Sequence, residues 1–134
     1  MINSSSCAAA FTQLAAIEAF ESAESDAAVD AMVGEFRRRR DLVVDGLNRI
    51  PGIRCRRPAG AFYVFPDITE TGWTDRQLQG ALLDEVGVAT LAGSSFGPHG
   101  AGHIRLSYAN SMANLASALD RVALHLGAGA VTSA

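Results

Sequence analysis

The chain has 134 residues, 49% of them hydrophobic and 19% charged, with a formal net charge of -3. That length suits one domain, the hydrophobic share excludes a disordered tail, and the mild negative charge excludes a global pull toward nucleic acid. No apolar run of about 18 residues is free of charge, so no membrane span is expected. No basic residue precedes the first apolar run, so Met1–Cys7 does not read as a secretory signal. The two cysteines, Cys7 and Cys55, make no disulfide framework; both read as small hydrophobes, and free thiols fit a cytoplasmic protein.

The basic side chains are all arginine, eleven of them, and there is no lysine. Chemistry that needs a lysine amine, such as a Schiff base, has no side chain to use here.

In chain order, residues 7 to 20 predict a short helix that Ser5 or Ser6 can cap, with Phe11, Leu14, Ala15 and Glu18 on one stripe. The polar stretch Glu21–Ser25 breaks it. A long helix is then expected over 26–50, with Asp26 and Asp30 near its positive end. Val29, Met32, Val33, Phe36, Val43, Leu47 and Ile50 recur at helical spacing and predict a buried face, which Pro51-Gly52 ends. Two strands are expected at 53–56 and 61–65, the second bracketed by Pro58-Ala59-Gly60 and Pro66-Asp67. Thr74 and Gln77 fit a capping box that opens a third helix, and Gly87 is placed to close it. A strand is expected over 88–91. A glycine-dense segment follows, and then His103–Tyr108 alternates with Ile104, Leu106 and Tyr108 on one face. The last helix is expected over 111–126 with the stripe Leu115, Ala118, Leu119, Val122 and Leu126, ended by Gly127, and a frayed tail over 127–134. Helices paired with short strands predict an α/β fold, a two-layer α/β sandwich.

Most chemical signals in the sequence have a plain reading. Arg37–Arg40 spread around a helix instead of forming one basic face, and Glu35-Arg39, Arg37-Asp41 and Asp45-Arg49 stand at i,i+4. The segment Gly93–Gly102 fits no phosphate loop, because the Walker lysine is absent and position 105 is arginine where a third dinucleotide-motif glycine would stand. It reads as a flexible loop that lets backbone approach a ligand or another domain closely. His99 and His103 are four apart but sit among glycines, so no metal site is expected. Ser107 and His103 lack the nucleophile elbow of a hydrolase.

Arg105 differs. It stands inside an apolar, alternating strand, where an unpaired charge is costly. Two readings remain open at this point. It pairs internally with an acid such as Asp84 or Asp120, or its guanidinium receives a ligand carboxylate in the bidentate manner that arginine favours.

Three ordered blocks resemble the C-terminal part of the class I, fold-type I pyridoxal-phosphate aminotransferases, with the aspartate aminotransferase branch fitting best. They are Pro58-Ala59-Gly60-Ala61-Phe62-Tyr63; Gly102-His103-Ile104-Arg105-Leu106-Ser107-Tyr108-Ala109; and Arg37–Leu42 with Leu47-Asn48. Asn3–Ser6 and Gln13 resemble the segment shortly after the family's cofactor lysine. The resemblance implies amino transfer between an amino acid and a 2-oxo acid. It gives Arg105 the substrate α-carboxylate and places Phe62 near the substrate entrance.

It also implies an organisation. Residues 1–25 would be a remnant of the large domain. Residues 26–126 would be the small C-terminal domain with its linking helix 26–50. The family's Schiff-base lysine, pyridine-pairing acid and phosphate-holding groups have no counterpart here. No catalytic residue, metal or chain-bound pyridoxal phosphate is therefore expected. The expected partners are a large domain or a second copy, and neither nucleic acid nor a membrane. The alternative is a stand-alone, non-catalytic α/β binding or dimerisation module.

Overall fold

The computed structural model describes residues 7–129. The chain divides into two units, one ending at Glu35 and one beginning at Phe36.

The first unit holds helix α1, Ala10–Glu21, and the opening of helix α2, Ala23–Leu47. The expected break is a single residue. Ser22 turns to extended backbone, its N–H bonds Glu18 O at 3.1 Å, and its hydroxyl accepts the Glu24 N–H at 3.2 Å. A polar run thus costs one residue of helix, because Ser22 caps both neighbours. No side chain caps the start of α1, and Ser5 and Ser6 lie outside the described residues. None of its residues is buried: Phe11, Leu14, Ile17 and Phe20 are 78, 67, 52 and 88% exposed. Val29, Met32 and Val33, expected in a buried face, are exposed as well.

The second unit carries the core. The C-terminal turns of α2 bury Val43, Val44 and Leu47, and Ile50 and Ile53 continue that surface after the helix ends. Three antiparallel strands follow: β1, Tyr63–Val64; β2, Leu91–Ala92; and β3, Ile104–Ser107, with β3 in the middle. Between β1 and β2 lies helix α3, Asp75–Asp84, and after β3 comes helix α4, Met112–Gly129. One sheet face meets the helices: Val64, Ala92, Ile104 and Tyr108 are buried with Leu78 and Leu82 of α3 and Leu115 and Val122 of α4. Tyr63, Phe65 and Leu91, on the alternate face, are exposed. This is the expected two-layer α/β arrangement.

The strands are shorter than their sequence pattern for identifiable reasons. At 53–56 only Arg54 bridges, to Asp67. The backbone of Cys55 is taken instead by the Asn48 amide, which donates to its carbonyl at 2.9 Å and accepts its N–H at 2.8 Å. β1 is confined between Ala61, at φ +62°, and Pro66, which has no N–H. The expected strand at 88–91 begins only at Leu91, since the Val88 N–H is committed to Leu82 O, at 2.7 Å.

The helix signals fare better. The Thr74–Gln77 capping box opens α3 with both reciprocal bonds, and Gly87, at φ +68°, turns the chain beyond it with its N–H on Leu83 O. Gly127 does not end α4, which runs on through Gly129; an interior glycine costs a helix only about 1 kcal/mol. The remaining tail, 130–134, lies outside the described residues. α2 and α4 approach closely at Gly46, where a Cβ would stand 2.6 Å from Leu119 Cδ1. Trp73, half-buried before α3, lies with its ring centroid 5.6 Å from that of His125 on α4.

Two of the expected charged pairs, Arg37-Asp41 and Asp45-Arg49, are replaced by others. Asp41 takes Arg40 at 2.9 Å and Arg57 at 3.2 Å, not Arg37, and Asp45 takes Arg57 at 3.5 Å, not Arg49. Arg57 reaches both acids from the loop after α2. Cys55 packs as the small hydrophobe expected, its thiol pushed up to about 11 by burial, whereas Cys7 is exposed.

Candidate substrate-carboxylate site

The open face of the sheet is built from alternation. β1 and β3 pair with Tyr63 opposite Ser107, and β2 and β3 with Leu91 opposite Arg105. With Ile104 buried on the helix side, the period of two puts His103, Arg105 and Ser107 on the open side. Tyr63 of β1 and Phe65 just after it join them.

The glycine-dense segment is not a loose linker. It folds as two 3-10 turns, Gly93–Phe96 and Pro98–Gly100. Their backbones cross so closely that a Cβ on Gly93 would stand 2.1 Å from Gly100 O, and one on Gly100 would stand 2.0 Å from Gly93 O. Only glycine fits either place. The close approach expected of this segment is thus made to itself. Asp75, buried at the start of α3, holds the first turn by accepting the Ser94 N–H at 2.6 Å. That N–H, ahead of the Arg76 N–H, keeps the Asp75 carboxyl below its usual range.

The turn delivers Phe96 to the open face. The Arg105 guanidinium carbon lies 4.6 Å from the Phe96 ring centroid and 5.2 Å from that of Tyr63. Phe65 abuts Phe96 edge-on at 6.1 Å and stacks on His103 at 5.2 Å. Phe62, exposed, meets Tyr63 edge-on at 5.8 Å, one ring removed from Arg105. Its carbonyl accepts the Tyr108 N–H at 2.9 Å, fixing the backbone before β1.

Neither Asp84 nor Asp120 pairs with Arg105; among the described residues no carboxylate or carbonyl accepts from its guanidinium. Other arginines do find acceptors: Arg54 on Glu70, Arg57 on Asp41 and Asp45, Arg121 on Val86 O. The internal-pair reading of Arg105 is therefore set aside. A half-buried cation with ring faces beside it and unfilled N–H donors is the arrangement a planar anion completes.

Other candidates are bland. His99 is exposed and His103 points a ring nitrogen at Ala101 O, at 3.1 Å. Among the described residues no three His, Cys, Asp or Glu side chains gather as a metal group, and no helix is long and apolar enough to cross a membrane. A cavity of about 380 Å³ opens between α4, the end of β3 and residues 87–89, with Asn110, Asn114 and Arg121 among its lining and without Arg105.

Sequence reasoning missed Tyr63 and Phe96 as neighbours of Arg105, and Phe65 as the ring that abuts Phe96. The alternation of Tyr63, Val64 and Phe65 carried that signal for the strand; nothing in the sequence placed Phe96.

Residues 1–122 match the family described as aminotransferase class I and II. The chain is 43% identical over 114 residues to the aspartate aminotransferase of Pyrococcus horikoshii, covering 85% of this chain and 29% of that protein. It is also 43% identical over 114 residues to the arginine–pyruvate transaminase of Pseudomonas aeruginosa, covering 85% and 28%. The aromatic aminotransferase structure from Pyrococcus horikoshii superposes with TM-score 0.90 at 37% identity, over 98% of this chain and 35% of the other. The chain belongs to the class I and II aminotransferase family, and it spans under a third of the length of the two curated relatives above.

That family works with pyridoxal phosphate, which needs a lysine amine for its Schiff base. This chain has no lysine, and the open face offers rings, His103 and one guanidinium. Those residues do not fit the cofactor.

Proposed function

We propose that this chain is the substrate-carboxylate-binding portion of an aspartate-type aminotransferase, an enzyme that moves an amino group between an amino acid and a 2-oxo acid. Residues 26–126 act as its small C-terminal domain, with α2 as the linking helix, and residues 1–25 as the edge of the large domain. Arg105 receives the α-carboxylate, and Phe62 lies at the entrance. The observation that carries this is the Arg105 guanidinium, set on an open face with its donors unfilled, in a chain of this family. Relatives named for aspartate, arginine and aromatic substrates share this region, which supports a role common to all of them: binding the group that every amino acid has. The exposed apolar side chains of α1 support work against further protein.

The test is a titration of isotope-labelled chain with L-aspartate, followed by NMR. Shifts centred on Arg105, Tyr63 and Phe96 that vanish in Arg105→Ala are expected. The affinity should be weak, since an ion pair open to water is worth little. Equal binding by Arg105→Ala would overturn the assignment.

A further inference from the structure

We infer that Phe96 and Tyr63 are positioning residues for Arg105, holding the guanidinium by its faces so that its N–H edge stays directed at a carboxylate. The inference rests on the carboxylate reading above and adds how the arginine is kept ready. A free arginine side chain populates many rotamers, and binding must order them. Here two rings stand within cation–π reach, at 4.6 and 5.2 Å. Rings accept none of the donors strongly, so they orient the group without filling the positions a ligand needs. An acidic partner would do the opposite, because it would occupy the fork.

The two rings have independent supports. Tyr63 is held by pairing with Ser107 in the sheet. Phe96 belongs to no strand. It is placed by the crossing of Gly93 with Gly100, by the bond from Ser94 N–H to Asp75, and by the edge of Phe65. Phe96 is 51% exposed, so it adds little to the core. A half-exposed ring fixed by a buried carboxylate and two obligatory glycines suits a site better than a core.

The experiment uses the full chain labelled with nitrogen-15, reading the Arg105 Nε–H signal, assigned by its loss in Arg105→Gln, with succinate as the carboxylate probe. The wild-type signal should stand upfield of the other arginines through the ring currents. Phe96→Leu should return it toward them and weaken succinate binding about two- to fivefold, the size of an exposed cation–π contact. Phe96→Tyr, which keeps a ring, should retain both properties. Tyr63→Leu should act in the same direction as Phe96→Leu. An Arg105 signal that is the same in wild type and Phe96→Leu would overturn the inference, as would a Phe96→Leu chain that binds succinate as well as wild type. A ring-shifted Arg105 that ignores succinate would sink the carboxylate reading and leave the clamp standing. Unchanged amide shifts elsewhere in Phe96→Leu, expected for an exposed ring, would separate the effect from misfolding.

Discussion

The Tyr108 hydroxyl donates to the carbonyl of Ala61 at 2.8 Å, across 47 residues of chain. Ala61 holds φ +62°, a left-handed conformation that costs a residue with a Cβ about 1–2 kcal/mol. The bond ties that strained corner to the core, because Tyr108 is itself buried against Phe36.

Tyr108→Phe is expected to lose about 1 kcal/mol of stability while keeping the fold, since one hydrogen bond goes and the ring stays. Urea unfolding followed by circular dichroism measures it. Ala61→Gly should shift stability the other way by relieving the corner. A Tyr108→Phe chain as stable as wild type would show that the corner holds itself.

Asp75 makes the chain sensitive to acid. Its carboxyl is held below the usual 3.8 by the Ser94 N–H first and the Arg76 N–H after it. A depressed folded value contributes stability above the unfolded value and loses it as pH falls through the folded one. Stability should therefore drop from about pH 4 downward. Asp75→Asn should be less stable at neutral pH and show a shallower acid limb. An acid limb with the wild-type slope in Asp75→Asn would remove Asp75 from this account.

Gly93→Ala is expected to be damaging. The new Cβ would meet backbone oxygens of Gly100 at 2.1 Å and His103 at 2.6 Å, and backbone has little room to yield. About 1–3 kcal/mol or more should be lost, with Phe96 displaced from Arg105. Gly80→Ala, where nothing lies within 4 Å, is the control and should be neutral or stabilising. Thermal melts of the two variants side by side decide the matter.

The legible part of this fold was its helices, and the reason is local. The Thr74–Gln77 box and the apolar stripes of α2 and α4 are short-range signals, readable from neighbours in sequence. The strands fall short of their pattern where a group six or seven residues earlier takes the backbone outside any ladder: Asn48 claims the backbone of Cys55, and Leu82 claims Val88. Arg105 was legible because charge inside an alternating strand is conspicuous. Its aromatic neighbours were not, since Phe96 reaches it only through a crossing of two glycines. The expected buried face over Val29–Val33 is periodic in the sequence yet exposed in the structure. Periodicity announces a face that wants a partner without saying where the partner is.

The exposed side chains of α1 lead to a prediction about association. The chain should self-associate with concentration, and Phe11→Ser with Phe20→Ser should reduce this. Analytical ultracentrifugation of both chains tests it. A wild-type chain that stays monomeric at high concentration would count against a second copy as the partner.

Catalysis by the isolated chain is expected to be absent. Amino transfer needs an amine to hold the cofactor and move the α-proton, and these 134 residues include no lysine to supply one. Pure chain mixed with pyridoxal phosphate, aspartate and 2-oxoglutarate should form glutamate no faster than cofactor alone. Turnover that scales with protein and disappears in Arg105→Ala would reverse this conclusion.

Trp73 is the one tryptophan of the chain. Its ring lies between the entry to α3 and His125 near the end of α4. Its emission therefore reports the docking of α4 from inside the protein, with no label added. Detachment of α4 would wet the indole and move its emission to the red, whatever α3 and the sheet do. Followed beside a helix signal in the same unfolding experiment, this native fluorophore separates peeling of the last helix from collapse of the whole unit.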